Sequence, residues 1–188
     1  MQLDLKTVPA GRPRRNEKNA IVYWLLPAKP ERELFCEIVR ILRKEFRAPN
    51  FEPHLTLFST AKDGQPPNKV LKQISLRPIR LTASGVAFSS AFTRTLFVRL
   101  KSSPLLRKLV TDLGRAAKSP TKAPSDPHVS LLYKKLPRAT KKELAAVMKL
   151  PFRTVVFDSI AAVRCVSPSR TAADVESWRI LGKKSLTR

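Results

Sequence analysis

The apolar positions of the first third of the chain follow a strand, then a helix, then a second strand. Residues 21–26 form an unbroken apolar and aromatic run ended by Pro27, which predicts a buried strand. Downstream of Pro30, a helix is predicted from apolar residues at helical spacing, namely Leu34, Ile38, Ile41, Leu42 and Phe46. Residues 48–50 (Ala-Pro-Asn) end this helix, and residues 53–57 resume a strand-like pattern.

The same order returns in the second half of the chain. A predicted strand leads to Ser103 and Pro104, a favoured N-cap and first-turn pair. The helix that follows has its apolar face on Leu106, Leu109, Val110, Leu113 and Ala117. A polar loop over residues 119–127 then reaches a second Pro-His strand. The repeated order predicts two similar halves, each ending in a Pro-His strand.

The remaining segments complete an antiparallel α+β pattern. We predict a loop over residues 61–69 and strands over 79–89, 95–101, 154–166 and 177–181. A short helix is predicted to begin with a capping box at residues 140–143 and to turn Leu144, Val147 and Met148 inward. Antiparallel sheets with helices on their outer faces are the expected architecture. A doubly wound nucleotide fold is excluded, because no glycine-rich strand-to-helix turn is present and the chain has only five glycines.

The two histidines of the chain occupy the same frame. Pro53-His54-Leu55-Thr56-Leu57 and Pro127-His128-Val129-Ser130-Leu131 both read Pro, His, apolar, hydroxyl, Leu. Positions i and i+2 of a strand share one face, so each histidine and its hydroxyl point together while the flanking apolar residues face the core. Both prolines suit the first position of a strand.

Two such half-sites suit acid–base chemistry on a phosphate. Histidine can take and give a proton near neutral pH, so one imidazole can activate water while the other protonates a leaving oxygen. The hydroxyls of Thr56 and Ser130 can donate to phosphate oxygens. A single histidine on a strand is more often a core or surface residue, but the shared frame of His54 and His128 outweighs that reading.

Four aromatic residues are ambiguous. Trp24 and Tyr133 lie on or beside the predicted cleft strands, where they can stack on a base or contact phosphate. Tyr133 is three positions from Ser130, so a bulge or strand end must turn it toward the site. Trp178 is assigned to the core by default, and no role is assigned to Phe51.

Charge and composition bound the class of protein. The chain has 188 residues and a net charge of +23, which favours phosphate-bearing partners and RNA, although solubility or a basic proteome explains any single cluster. We expect one domain over residues 20–188 after a flexible basic leader over 1–19, with no membrane span or export signal.

Cys36 and Cys165 are expected to be reduced, a buried disulfide being the lesser alternative. Neither a metal nor another cofactor is expected, because two histidines without acidic or thiol ligands make a poor metal site.

These motifs and their flanking segments resemble the 2H phosphoesterase superfamily and its plant and fungal cyclic phosphodiesterase branch. The flanking segments are Val22-Tyr23-Trp24-Leu25-Leu26-Pro27, Phe51-Glu52 before the first histidine, Leu132-Tyr133 after the second motif, and Val175-Glu176-Ser177-Trp178. The resemblance implies a bilobal, pseudo-symmetric fold of two antiparallel sheets about a central cleft. It implies catalytic roles for His54 and His128 and phosphate binding by Thr56, Ser130 and Tyr133, and it places a first-strand tryptophan at Trp24.

The function implied by the resemblance is a metal-independent cyclic phosphodiesterase. Such an enzyme opens 2′,3′-cyclic nucleotides to 2′-phosphates, or ADP-ribose 1″,2″-cyclic phosphate to the 1″-phosphate. An RNA-end phosphodiesterase or 2′-5′ RNA ligase-like enzyme is the alternative that makes better use of the charge. A non-catalytic RNA-binding module is the alternative of another class. A cytoplasmic monomer is expected in each case.

Overall fold

The computed structural model describes residues 18–61 and 65–187, which contain seven strands and five α-helices. The strands are β1 (Lys18–Pro27), β2 (Leu55–Ala61), β3 (Ile79–Phe88), β4 (Leu96–Leu100), β5 (His128–Leu132), β6 (Thr154–Ser167) and β7 (Arg179–Ser185). The helices are α1 (Glu31–Phe46), α2 (Pro67–Lys72), α3 (Pro104–Ala117), α4 (Arg138–Val147) and α5 (Ala172–Glu176). The α+β class predicted from the sequence is confirmed.

All strand pairs are antiparallel, in the order β2-β1-β6-β3-β4-β5, and β7 also pairs with β6. Strand β3 belongs to two ladders: residues 79–82 pair with β6, and residues 83–88 pair with β4. The register shifts between Ala83 and Gly85, where Gly85 has a φ of 115°. The structure therefore joins the strands into one seven-stranded sheet, and the predicted separation into two sheets and two lobes is not confirmed.

The predicted repeat is present in the order β1-α1-β2 and β4-α3-β5. Side chains at alternate positions of β1 explain its unbroken apolar run. Ile21, Tyr23 and Leu25 pack with α1, α2 and α3 in the main core, whereas Val22, Trp24 and Leu26 pack on the opposite face beside Trp178. Leu55, Leu57, Val129 and Leu131 all enter the main core, as the strand alternation predicts.

Several local predictions are confirmed and others are wrong. The Ser103 hydroxyl accepts from the amide of Leu106 and caps α3, whose predicted apolar face is buried. On helix α1 the prediction is confirmed for Leu42, which is buried, and for Ile38 and Phe46, which pack against the core. Phe35 and Val39 are also buried there, whereas the predicted Ile41 is 53% exposed. Helix α4 begins at Arg138 after Pro137, so Thr140 lies inside it and cannot be its cap. Leu144 and Met148 pack against the core as predicted, but Val147 is exposed.

The other differences concern short elements and chain ends. A capping box does occur, but it joins Thr171 and Asp174 at α5, a helix not predicted. Helix α2 replaces the end of the predicted loop over 61–69, because a proline suits its first turn. Strand β2 begins two residues after Pro53. Within the leader assigned to residues 1–19, Lys18 and Asn19 already pair with β6, and the rest lies outside the described residues.

Two further predictions concern the cysteines and the membrane. Cys36 and Cys165 are unpaired thiols, and Cys165 is buried whereas Cys36 is half-buried. No helix within the described ranges is long and apolar enough to cross a membrane. A cytoplasmic location and a monomeric state stay predictions.

Candidate active site

The two histidines are held in the same way, as their shared frame requires. Nδ1 of His54 lies 2.6 Å from the carbonyl oxygen of Glu52, and Nδ1 of His128 lies 2.9 Å from that of Asp126. A carbonyl oxygen can only accept a hydrogen bond, so Nδ1 of each neutral ring carries the hydrogen. The Nε2 atom of each ring is therefore left to accept or deliver a proton.

Both histidines line one cleft of about 380 Å³. The six residues predicted from the sequence all line it: Trp24, His54, Thr56, His128, Ser130 and Tyr133. The fold thus brings together residues that lie up to 109 positions apart in the chain (133 − 24). Their roles in binding and catalysis stay predictions.

The two hydroxyls of the motifs differ in their surroundings. Thr56 is exposed in the cleft, whereas Ser130 is buried and its Oγ donates to the carbonyl oxygen of Thr93 at 3.0 Å. To donate to a phosphate, the Ser130 hydroxyl must rotate away from that carbonyl. The two half-sites are therefore alike in frame but not equivalent as phosphate donors.

A bulge turns Tyr133 toward the cleft, as its odd spacing requires. Leu96 pairs with Leu132 but Phe97 pairs with Ser130, so β5 has one extra residue at this point. The Thr95 hydroxyl then donates to the carbonyl oxygen of Lys134 at 2.7 Å and fixes the segment after the bulge. The Tyr133 ring stacks on Phe51 with centroids 3.8 Å apart. Burial raises the pKa of the Tyr133 phenol, so its oxygen stays protonated.

His54 lies in an aromatic environment. Its ring stacks on Trp24 with centroids 3.7 Å apart and planes 10° from parallel, and Trp178 meets Trp24 edge-on at 5.3 Å. The imidazole is 5% exposed, and burial lowers the pKa of His54 to about 4. The hydrogen bond to Glu52 opposes this shift, and the nearby His128 adds to it. At neutral pH His54 is therefore uncharged.

His128 lies among charged groups. Phe97 meets its ring edge-on at 5.1 Å, and the Arg94 guanidinium lies over the Phe97 ring, 4.2 Å from its centroid. Arg94 and Arg99 both pair with the Asp126 carboxylate. Burial and both arginines lower the pKa of His128, whereas the carbonyl oxygen and the carboxylate of Asp126 raise it. Unlike His54, His128 thus has a nearby carboxylate that favours its protonated form.

Nine other residues line the cleft, none of them predicted as a site residue, and two of these have a large cationic or aromatic side chain. Arg94 is one of them, and its buried Nε has no hydrogen-bond partner among the described residues. Trp178 is the other: it was assigned to the core, but it is half-buried in the cleft wall and donates to Ser169 Oγ at 3.0 Å. No local pattern links Trp178 to the histidines.

A repeated signal beside the histidines was available. An acidic residue stands two positions before each histidine, and its side chain pairs with arginine. Glu52 pairs with Arg32 at 2.7 Å, and Asp126 pairs with Arg94 and Arg99. Extending the shared frame by this one residue predicts an arginine near each half-site.

No family model matches this chain, but a sequence relative aligns with about two thirds of it. The chain is 26% identical to a cyclic phosphodiesterase of Arabidopsis thaliana over 132 residues, which cover 67% of this chain and 71% of that protein. Across the residues described here, no three His, Cys, Asp or Glu side chains are grouped so that they could hold a metal ion.

Solved structures resemble the whole domain. The protein TT0787 of Thermus thermophilus superposes with a TM-score of 0.54 at 20% identity, over 89% of this chain and 97% of that one. LigT of E. coli in its apo form gives 0.52 at 18% identity, over 92% and 100%. The chain therefore shares the fold of these two proteins.

Together with the two His-x-Thr/Ser motifs and the Arabidopsis relative, this confirms the resemblance seen in the sequence. The chain is similar to the 2H phosphoesterases of the cyclic phosphodiesterase-like branch, and these similarities support a phosphodiesterase enzyme.

Proposed function

We propose that the protein hydrolyses a cyclic phosphodiester without a metal, using His54 and His128 as base and acid. The substrates we propose are 2′,3′-cyclic nucleotides, opened to 2′-phosphates, or ADP-ribose 1″,2″-cyclic phosphate. The observation that supports this most is the matched anchoring of both rings in one cleft, which leaves two Nε2 atoms for proton transfer. The likeness to a cyclic phosphodiesterase supports the class of substrate.

The environments of the two histidines favour a division of roles. His54 is uncharged at neutral pH and serves as the base, taking a proton from the water that attacks phosphorus. His128 is next to the Asp126 carboxylate and serves as the acid, giving a proton to the 3′ oxygen as the P–O3′ bond breaks. The product is a 2′-phosphate, and proton exchange with solvent then restores both rings.

Negative charge builds on the phosphate oxygens in the transition state. Thr56 and the rotated Ser130 hydroxyl donate to these oxygens, and Tyr133 adds a protonated phenol. Arg94 adds a positive charge at the same wall of the cleft, where its pairing with Asp126 limits its movement. We therefore propose Arg94 as a phosphate-binding residue that the sequence analysis did not identify.

The aromatic residues have separate roles in this scheme. Trp24 is 3% exposed and lies against His54. We therefore propose that it shields the His54 imidazole from water and does not stack on a nucleobase. Trp178 is half-buried at the cleft wall and is the better platform for a base.

The test is turnover of 2′,3′-cyclic AMP and of ADP-ribose 1″,2″-cyclic phosphate, with the position of the product phosphate determined by phosphorus NMR. His54→Ala and His128→Ala are each expected to lower kcat by about 10²–10⁴-fold. Full activity of either variant contradicts the proposal. A non-catalytic RNA-binding module would instead show no turnover and unchanged RNA binding in both variants.

An RNA-end phosphodiesterase is the second candidate. The specific observation in its favour is the net charge of +23, which exceeds the needs of a substrate with one phosphate. Comparing a mononucleotide with an oligonucleotide that carries the same cyclic end distinguishes the two candidates.

A further inference from the structure

A second concave surface, separate from the active cleft, lies at the C-terminal end of α1. This basic groove has a volume of about 440 Å³ and is lined by Arg40, Arg43, Lys44, Arg47 and Ala48. Arg40 pairs with Glu37 at 2.6 Å, whereas Arg43, Lys44 and Arg47 form no ion pair within the described ranges. The proposed hydrolysis of a small cyclic nucleotide does not use these cations.

Stabilisation of the helix end does not account for so many cations. Lysine and arginine are favoured near the C-terminus of a helix, where they offset its partial negative charge. Helix α3 holds the equivalent place in the repeat and ends in the same left-handed conformation, at Lys118 (φ 51°) as α1 does at Arg47 (φ 48°). Its end has only Lys118 and Arg115, and Arg115 lies 3.4 Å from the Asp112 carboxylate.

The basic groove begins beside the active cleft. Lys134 directly follows the cleft residue Tyr133, and its Nζ donates to the carbonyl oxygen of Arg47 at 3.4 Å. The Lys134 side chain therefore reaches from the backbone next to the cleft wall to the backbone of the groove residue Arg47. Phe51, which stacks on Tyr133, follows Arg47 by four positions and forms a second connection.

We propose that the basic groove and Lys134 bind backbone phosphates of a single-stranded RNA whose 2′,3′-cyclic end occupies the cleft. This rests on the proposed function and names its substrate class. A mononucleotide has one phosphate, which the cleft itself receives, whereas a strand supplies further phosphates for the neighbouring cations. DNA is excluded as this substrate because a 2′,3′-cyclic phosphate needs the 2′ oxygen of ribose.

The test compares two substrates in one charge-reversed variant. Lys44→Glu/Arg47→Glu is assayed on 2′,3′-cyclic AMP and on an adenosine hexanucleotide that ends in the same cyclic phosphate. We expect kcat/KM for the hexanucleotide to fall by about tenfold or more at low salt, and that for cyclic AMP to stay within about twofold. The slope of log kcat/KM against log salt is expected to decrease in magnitude by about 1.4 for the hexanucleotide, about 0.7 for each lost phosphate contact.

The repeat provides a matched control. Arg115→Glu/Lys118→Glu makes the same change of charge at the equivalent helix end, and it is expected to leave both substrates unaffected. Equal losses in the two double variants would mean that only total charge matters and would overturn the proposal. A Lys44→Glu/Arg47→Glu variant that is folded, as shown by circular dichroism, and has unchanged activity on the hexanucleotide would overturn it as well.

The proposed function and the groove can fail separately. If the wild-type protein hydrolyses neither of these substrates nor ADP-ribose 1″,2″-cyclic phosphate, the proposed function is refuted. The groove is then tested by fluorescence anisotropy with the same hexanucleotide. Binding weakened about tenfold in Lys44→Glu/Arg47→Glu but not in the α3 control supports the groove, and equal affinities refute it.

Discussion

Acidification is expected to destabilise the folded protein through His54. Burial lowers the pKa of this imidazole from 6.5 to about 4, so between these values the unfolded chain binds a proton that the folded protein does not. The free energy of unfolding therefore falls as the pH falls from about 6.5 toward 4. A pKa difference of about 2.5 corresponds to about 3 kcal/mol, of which about 2 kcal/mol is lost between about pH 7 and about pH 4.5.

The assay is urea unfolding of the wild type and of His54→Gln at both pH values. Carboxylates also titrate in this range, so the informative quantity is the difference between the two proteins. Glutamine can still donate to the Glu52 carbonyl oxygen but does not titrate, so the variant is expected to lose about 2 kcal/mol less on acidification. His128→Gln is the matched control and is expected to have a smaller effect, because His128 is less buried.

Direct titration provides an independent measurement. The chain has only two histidines, so two ring signals are expected in the NMR spectrum, and the variants assign them. A pKa of His54 near 6.5, or the same loss of stability on acidification in wild type and His54→Gln, would refute the reasoning that burial keeps this ring uncharged.

Three further predictions concern catalysis and folding. The profile of kcat/KM against pH is expected to be bell-shaped. It rises as His54 deprotonates near pH 4 and falls above the pKa of His128, which is below its usual 6.5. A flat profile over this range would contradict the roles of the two rings. Arg94→Met is expected to lower kcat/KM by about 10²-fold, with Arg94→Lys retaining part of the activity, and steady-state kinetics showing equal activity for Arg94→Met and wild type would exclude a phosphate contact. Ser103→Ala is expected to cost about 1 kcal/mol in urea unfolding without changing kcat, since it removes only the cap of α3, and an unchanged midpoint would contradict that cap.

Much of the site was predictable because its information is local. The shared Pro-His frame and the period of a strand were enough to place each histidine with its hydroxyl on one face and the leucines in the core. The odd spacing of Tyr133 required a bulge or a strand end, and the structure has a bulge in β5 and ends that strand at Leu132. The Ser103-Pro104 pair likewise predicted the start of α3, because a helix cap needs only adjacent residues.

Errors arose where tertiary contacts outweighed local pattern. The capping box predicted at residues 140–143 does not form, because α4 begins earlier, at Arg138. In this helix Lys141 is buried and donates to the carbonyl oxygen of Ser89 at 2.7 Å. On α1, the helical spacing identified a helix, but the packing partners determined that Ile41 faces water.

The sequence alone was enough to identify the two histidines proposed to react, because residues in one repeated frame carry their geometry with them. It also determined the order of the elements and the charge that attracts a polyanion. What surrounds those groups depends on the tertiary structure: the Trp24 ring on His54, the Asp126 carboxylate near His128, and Arg94 and Trp178 in the cleft wall. The difference is physical, since a strand orients neighbours two residues apart, whereas burial and electrostatic fields depend on side chains that meet only when distant strands pair.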